Sequence, residues 1–170
     1  MTTEKKIIAG LKSGESTKMI EAIAAMRIEG KAAHLPLLLE ILHTSSDEAF
    51  LSEAVGLLND LKNPDALQYL ITALNDEAFS DIHIFILQGI WQSGLNPNQH
   101  LEDLVNYAIR TEYLLCFEVL TIIENLPEAP DEEIVLQLTS RLRDAMHDTP
   151  EHALLLHAMH DALNDYLIEG

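Results

Sequence analysis

Aromatic residues are scarce in this chain, at 5 % of its 170 residues, although hydrophobic residues as a whole make up 48 %. The core must therefore consist mainly of Leu, Ile and Ala, which is typical of helix-on-helix packing. There is a single cysteine, Cys116, inside the apolar run YLLCFEVL. A lone cysteine cannot form an internal disulfide, and this setting predicts a small buried apolar residue.

Long hydrophobic runs are also missing. No window approaches 18 uninterrupted apolar residues, so we expect no membrane-spanning helix. The only apolar run before the first break, Ile7 to Leu11, is too short for the hydrophobic region of a secretory signal. Together with the single cysteine, these absences predict a reduced, cytoplasmic protein.

Positive charge is the third deficit. The chain has 10 Lys/Arg against 28 Asp/Glu, a formal net charge of −18. Residues 1–62 carry 7 Lys/Arg against 9 Asp/Glu, whereas residues 63–170 carry 3 against 19. Such a surface repels phosphate backbones and anionic membranes, and it attracts a basic protein segment or a cation. The alternative interpretation is that the acidic surface only maintains solubility.

Glycine and proline are few, at 7 and 6 residues, and several stand at regular breaks between apolar segments with helical periodicity. Gly14, Gly30 and Gly94 follow predicted helices, while Asn63-Pro64-Asp65 and Pro130-Asp131 precede others. No strand-like alternation persists. The pattern predicts an all-α protein with helices near 3–12, 16–29, 48–61, 65–75, 81–93, 98–110, 113–126, 131–147 and 150–168. A further helix, with Pro36 in its first turn, lies before Ser45.

A repeat of about 33 residues organises these helices into hairpins. It is clearest in MIEAIAAMRIEGKAAHLPLLLEIL from Met19 and LSEAVGLLNDLKNPDALQYLITAL from Leu51. Leu35, Leu67, Leu101 and Ile134 align in one column of the second helices. A single hairpin cannot bury both of its apolar faces, so repeated hairpins stack on one another. The prediction is one domain over 1–170, an α-α superhelix (solenoid) of about four to five antiparallel hairpins.

The motifs AIAAM…GKAAHLPLLLEIL and AVGLLNDLKNPDALQYLITAL resemble the HEAT-repeat family, in particular its short bacterial form. The resemblance covers residues 16–76 clearly and the later repeats more weakly. The Arg and Asp that the family carries in its first helix and inter-repeat ladder are mostly absent. The Thr-Pro-Leu-His signature of ankyrin repeats and the aromatic pattern of tetratricopeptide repeats are not found. The resemblance implies a scaffold whose second helices line a concave, partner-binding face.

Carried over residue by residue, that implication gives a polar stripe along the second helices, because residues spaced i and i+4 share a helix face. The predicted partner-binding residues are Glu40, His43, Gln68, Thr72, Asn75, Glu102, Asn106, Arg110, Thr139 and Arg143. The predicted partner is a protein, most readily one with a basic segment. The alternative is that these residues form the ordinary solvated face of amphipathic helices.

No catalytic template fits the chain. Phosphate-binding glycine loops and a Gly-x-Ser-x-Gly elbow are absent, and we expect neither enzymatic activity nor a cofactor or metal. Two enzyme classes occur among HEAT-like proteins, alkylated-base DNA glycosylases and pigment-attaching lyases. The first needs a basic, aromatic cleft and the second a pigment site, and the sequence singles out neither.

Two alternatives remain open. His147, His152, His157 and His160 form a group on the last hairpin with partly ligand-like spacing, which suggests a metal site as well as a plain polar face. The last helix, ALLLHAMHDALNDYLIEG, has a wide apolar stripe, and any part of it not packed on its neighbour would suit a homodimer interface.

Overall fold

The computed structural model describes residues 1–169, and in that part of the chain all regular structure is helical. The all-α prediction is confirmed. Ten α-helices are present in the described residues: α1 (Thr3–Leu11), α2 (Ser16–Glu29), α3 (Leu35–Thr44), α4 (Glu48–Asn59), α5 (Ala66–Leu74), α6 (His83–Ser93), α7 (Leu101–Arg110), α8 (Tyr113–Glu124), α9 (Glu132–Asp148) and α10 (Ala153–Glu169).

The helix boundaries follow from local signals in the sequence. Gly14 and Gly94 have φ values of 71° and 73°, a conformation that costs glycine little, and they terminate the segments before them. At the start of α4 the Asp47 side chain accepts a hydrogen bond from the Phe50 N–H at 3.0 Å. Asp131 caps α9 in the same way, accepting from the Glu133 N–H at 2.9 Å. The predicted and observed helices agree to within a few residues because these signals act over one turn.

Contacts between Cα atoms divide the chain into two compact units, Met1–Ser93 and Gly94–Gly170, called here the N-terminal and C-terminal units. Each is described by itself. The single-domain organisation expected for 1–170 stays a prediction.

In the N-terminal unit the helices pack in two rows. α2 packs on α4 and α4 packs on α6, while α3 packs on α5. α1 lies against α2 and also contacts α3. Leu35 and Leu38 on α3 and Leu67 and Leu70 on α5 are all buried. Gly10 allows α1 to lie close to α2, because a Cβ at this position would lie 2.9 Å from the Cβ of Ala22 on α2.

In the C-terminal unit α7 packs on both α8 and α9, and α10 packs on both α8 and α9. α8 and α10 run parallel. At their starts the His152 ring Nε2 lies 2.8 Å from the Thr111 carbonyl oxygen, and at their ends the Tyr166 hydroxyl donates to the Ile123 carbonyl at 2.8 Å.

Candidate protein-binding surface

The predicted stripe residues of the N-terminal unit lie on two helices in contact, α3 and α5. Glu40, Gln68, Thr72 and Asn75 are exposed, as a partner-binding role requires. The Thr72 hydroxyl donates to the Gln68 carbonyl at 2.7 Å and the Asn75 amide donates to the Ile71 carbonyl at 3.2 Å. Their donors are therefore partly used by the helix itself, whereas the Glu40 carboxylate and the Gln68 amide project from an exposed face.

His43, the fifth predicted residue of this unit, is held in place by the segment before α6. Its Nδ1 lies 2.6 Å from a carboxylate oxygen of Asp81, and its ring meets the Phe79 ring edge-on at a centroid distance of 5.5 Å. The side chain is half-buried. These contacts fix the orientation of the imidazole on α3.

Glu40 also borders a groove between α1 and α3. The groove has a volume of about 800 Å³ and is lined by residues that include Leu11, Leu37, Glu40, Ile41 and Asp47. Its lining combines aliphatic side chains with the carboxylates of Glu40 and Asp47 and the side chain of Lys12. The N–H of Phe50 and, secondarily, the hydroxyl of Ser16 hold the pKa of Asp47 below its ordinary value, so this carboxylate stays charged at neutral pH. Because the two carboxylates outnumber the lysine, the arrangement suits an apolar side chain flanked by a cation.

In the C-terminal unit two stripe residues are bound to an arginine that the stripe did not include. The Arg141 guanidinium donates from Nη1 to Asn106 Oδ1 at 2.7 Å and from Nη2 to Glu102 Oε1 at 3.1 Å. Glu102 and Asn106 thereby join α7 to α9, and a partner would compete with this link. The predicted residue Arg143, two positions further on α9, is exposed.

Thr139 was wrongly assigned to the partner-binding face. Its relative exposure is 1 %, and its hydroxyl donates to the Val135 carbonyl at 2.9 Å. On α9 the neighbouring positions Leu138 and Leu142 are buried, so Thr139 lies on the inner side of the helix and cannot contact a partner.

Arg110, at the end of α7, is exposed, and its guanidinium carbon lies 5.4 Å from the centroid of the Tyr107 ring.

Polar links one repeat apart also occur elsewhere, and the sequence interpretation underestimated them. Arg27 at the end of α2 is paired with Asp60, 33 residues later, at the end of α4. The Asn96 amide donates to the Glu128 carboxylate, 32 residues later, at 3.0 Å. The available signal was the spacing itself, because both separations are close to the predicted repeat of about 33 residues.

The C-terminal histidines do not converge. His157 and His160 both contact Asp161 at 3.1 Å, while His152 is directed to the Thr111 backbone and His147 is exposed. Within residues 1–169, no group of three or more His, Cys, Asp or Glu side chains is arranged to hold a metal ion.

Two further histidines are structural. His83 is buried with Nε2 3.0 Å from the Ala73 carbonyl, and the Nδ1 of buried His34 accepts the Lys31 N–H at 3.1 Å.

Cys116 is fully buried, and burial raises the pKa of its thiol to about 11. The prediction of a buried apolar role for this residue is confirmed.

Among the described helices, none combines the length and the apolar character that crossing a membrane would need.

Comparisons with known proteins give no match. No family model fits the chain, and neither a curated protein nor a solved structure is significantly similar to it.

Proposed function

We propose that this chain is a non-enzymatic protein-binding scaffold, a short bacterial-type HEAT-like α-solenoid of the cytoplasm. It would hold a basic segment of a partner protein on its second-helix face. The observation that carries the proposal is the groove beside Glu40, where aliphatic side chains of α1 and α3 lie beside two carboxylates and one lysine.

Support for the solenoid comes from the packing inside each unit. In the N-terminal unit, helices two positions apart in the chain pack together, as α2 does on α4 and α3 does on α5. In the C-terminal unit the pairs α7–α9 and α8–α10 follow the same rule. The side-chain links Arg27–Asp60 and Arg141–Asn106, 33 and 35 residues apart, join helices related in this way. Successive stacked hairpins generate both features.

Support for a basic partner comes from the net charge of −18. A field of this sign raises the encounter rate with a cationic segment, and salt screens that effect. The accessible members of the predicted stripe on α3 and α5 then provide specific contacts. Glu40 and Gln68 are the best placed, because both are exposed and neither is tied to another element.

The test is capture of partners from the native lysate with wild-type protein and with the double variant Glu40→Lys/Gln68→Lys. The matched control is Glu29→Lys/Gln92→Lys, which introduces the same residues at exposed positions of α2 and α6. We expect a protein retained by the wild type and the control to be lost from the α3–α5 variant.

Association of that protein should also be faster at 50 mM than at 300 mM NaCl. Equal capture by all three proteins would show that the α3–α5 face does not bind the partner. An association rate that does not depend on salt would remove the electrostatic part of the proposal.

A further inference from the structure

The C-terminal unit exposes an apolar cluster on α8 that its own core does not use. Tyr113, Leu114 and Phe117 have relative exposures of 58 %, 56 % and 47 %. Leu154, at the start of α10, is 85 % exposed. Single exposed apolar residues are common on protein surfaces, but three within five positions of one helix form a patch that calls for an explanation.

Two contacts place the start of α10 beside the start of α8, and therefore beside this patch. The His152 Nε2 lies 2.8 Å from the Thr111 carbonyl oxygen, and the His152 and Tyr113 rings are 6.2 Å apart between centroids. Further along, the hydrogen bond from Tyr166 to the Ile123 carbonyl keeps the two helices side by side. The surface between these parallel helices is called here the α8–α10 furrow.

The other end of the α8–α10 furrow is acidic. A groove of about 450 Å³ is lined there by Glu124, Asp161, Asp165, Tyr166 and Glu169, together with two alanines. Burial raises the pKa of the Tyr166 hydroxyl, and the charges of Glu169 and Glu124 raise it further. The carboxylates of Glu169 and Glu124 therefore act on the groove as negative charge.

Helical periodicity puts the apolar and the acidic ends on one continuous surface. Phe117 and Glu124 are seven residues apart on α8, which is two turns and about 10 Å along the same face. On α10, Leu154, Asp161 and Asp165 recur at intervals of seven and four residues, and so they also share a face.

The charges of this unit are segregated between its helices. Residues 94–170 contain 3 Lys/Arg and 15 Asp/Glu. The three arginines, Arg110, Arg141 and Arg143, all lie on α7 and α9, and the sequences of α8 and α10 contain neither Lys nor Arg. Of the carboxylates in the groove, Asp161 is contacted by His157 and His160. A cationic ligand is therefore complementary to the furrow, and the equally acidic C-terminal unit of a second copy is not.

We propose that the α8–α10 furrow docks an amphipathic helix of a partner protein. Its apolar side chains would cover Tyr113, Leu114 and Phe117, and its Lys or Arg residues, about 10 Å further along, would meet the acidic groove. This inference rests on the proposed function only for the basic character of the partner. The surface is a different one, on α8 and α10 rather than on the second helices.

The probe is a fluorescein-labelled 18-residue helical peptide with Leu spaced i, i+3, i+4 and i+7 in one half and four Lys in the other. A second peptide carries Glu in place of every Lys. Both are titrated with the full chain by fluorescence anisotropy at 50 mM NaCl. We expect the Lys peptide to bind and the Glu peptide not to bind, because the latter meets like charge at the groove.

Leu114→Ser/Phe117→Ser should weaken binding of the Lys peptide about tenfold or more, since exposed apolar anchors dominate such contacts. The control is Leu136→Ser, which removes an apolar side chain of 52 % exposure from α9, outside the furrow. We expect it to leave the affinity for the Lys peptide unchanged. Asp165→Lys/Glu169→Lys should weaken binding and reduce its dependence on salt. All of these side chains are exposed, so circular dichroism should show intact helices for every variant.

Unchanged affinity in the α8 variant, or equal binding of the Lys and Glu peptides, would overturn the inference. So would concentration-dependent dimerisation in sedimentation that Leu114→Ser/Phe117→Ser abolishes, because the cover would then be a second copy. Peptide affinity lost in Glu40→Lys/Gln68→Lys but retained in the α8 variant would also exclude the furrow, while supporting the second-helix face. The reverse result would establish the furrow without that face.

Discussion

Arg141 and Arg143 stand two residues apart on α9, yet only Arg141 links two helices. It donates to Asn106 on α7 at 2.7 Å and to Glu102 at 3.1 Å, while Arg143 projects into solvent. Residues two positions apart on a helix point in directions about 200° apart, so Arg141 and Arg143 have different neighbours. The sequence interpretation placed Arg143 on the partner-binding face and did not predict the link that Arg141 makes.

Replacing each arginine by Met therefore separates the two roles. Arg141→Met should lower the free energy of unfolding by about 1 kcal/mol, because a charge-assisted pair of partly exposed hydrogen bonds is lost. Arg143→Met should change it by less than about 0.5 kcal/mol. Urea denaturation of both variants measures the difference, and equal losses would show that the Arg141 contacts contribute no stability.

At the scale of the element, the closeness of α1 to α2 depends on the absence of a side chain at Gly10. A Cβ there would lie 2.9 Å from the Ala22 Cβ and 3.0 Å from the Lys18 carbonyl oxygen. At Gly56 on α4 the nearest atom to a new Cβ is Nη2 of Arg27, at 3.1 Å, the end of a flexible side chain. The two glycines therefore differ in how well their surroundings can adjust to a methyl group.

Alanine substitution should have opposite effects at these two positions. Ala favours a helix over Gly by about 1 kcal/mol, so Gly56→Ala should keep or raise the free energy of unfolding. Gly10→Ala should lower it by about 1 kcal/mol, because overpacking against Ala22 and a backbone carbonyl outweighs that gain. Urea titration of both variants provides the measurement. Stabilisation by Gly10→Ala would mean that α1 can move away from α2 at little cost.

At the scale of the whole molecule, the dominant physical quantity is the net charge of −18. Like charges repel within a folded chain, and dissolved salt screens exposed charges over a Debye length of about 8 Å at physiological ionic strength. We expect the Tm to rise as NaCl increases from 20 to 300 mM. In Asp144→Asn/Asp148→Asn, which removes two exposed carboxylates near the end of α9, the rise should be smaller.

Thermal melts at fixed pH test this expectation. A Tm that falls with added salt would show that attractive pairs such as Arg27–Asp60 outweigh the repulsion.

The predicted binding residues show where inference from the sequence stops. Nine of the ten side chains are exposed or half-buried as required, but Thr139 is buried, and Glu102 and Asn106 are held by Arg141. A helix places residues at every angle around its axis, and those at the border of the apolar stripe face either water or a neighbour. Which of the two applies depends on how far the next helix is rotated, and repeat alignment alone does not supply that rotation.

The sequence by itself determined the ten helices, their ends and the acidic surface. Those features depend on interactions within one or two turns, such as the Asp47 cap and the glycine conformations at Gly14 and Gly94, or on composition. Only the tertiary structure decided that Arg141 rather than Arg143 bridges α7 and α9, and that Tyr113, Leu114 and Phe117 are left outside the core. Both outcomes depend on contacts between residues more than 30 positions apart, which are fixed when helices pack against each other.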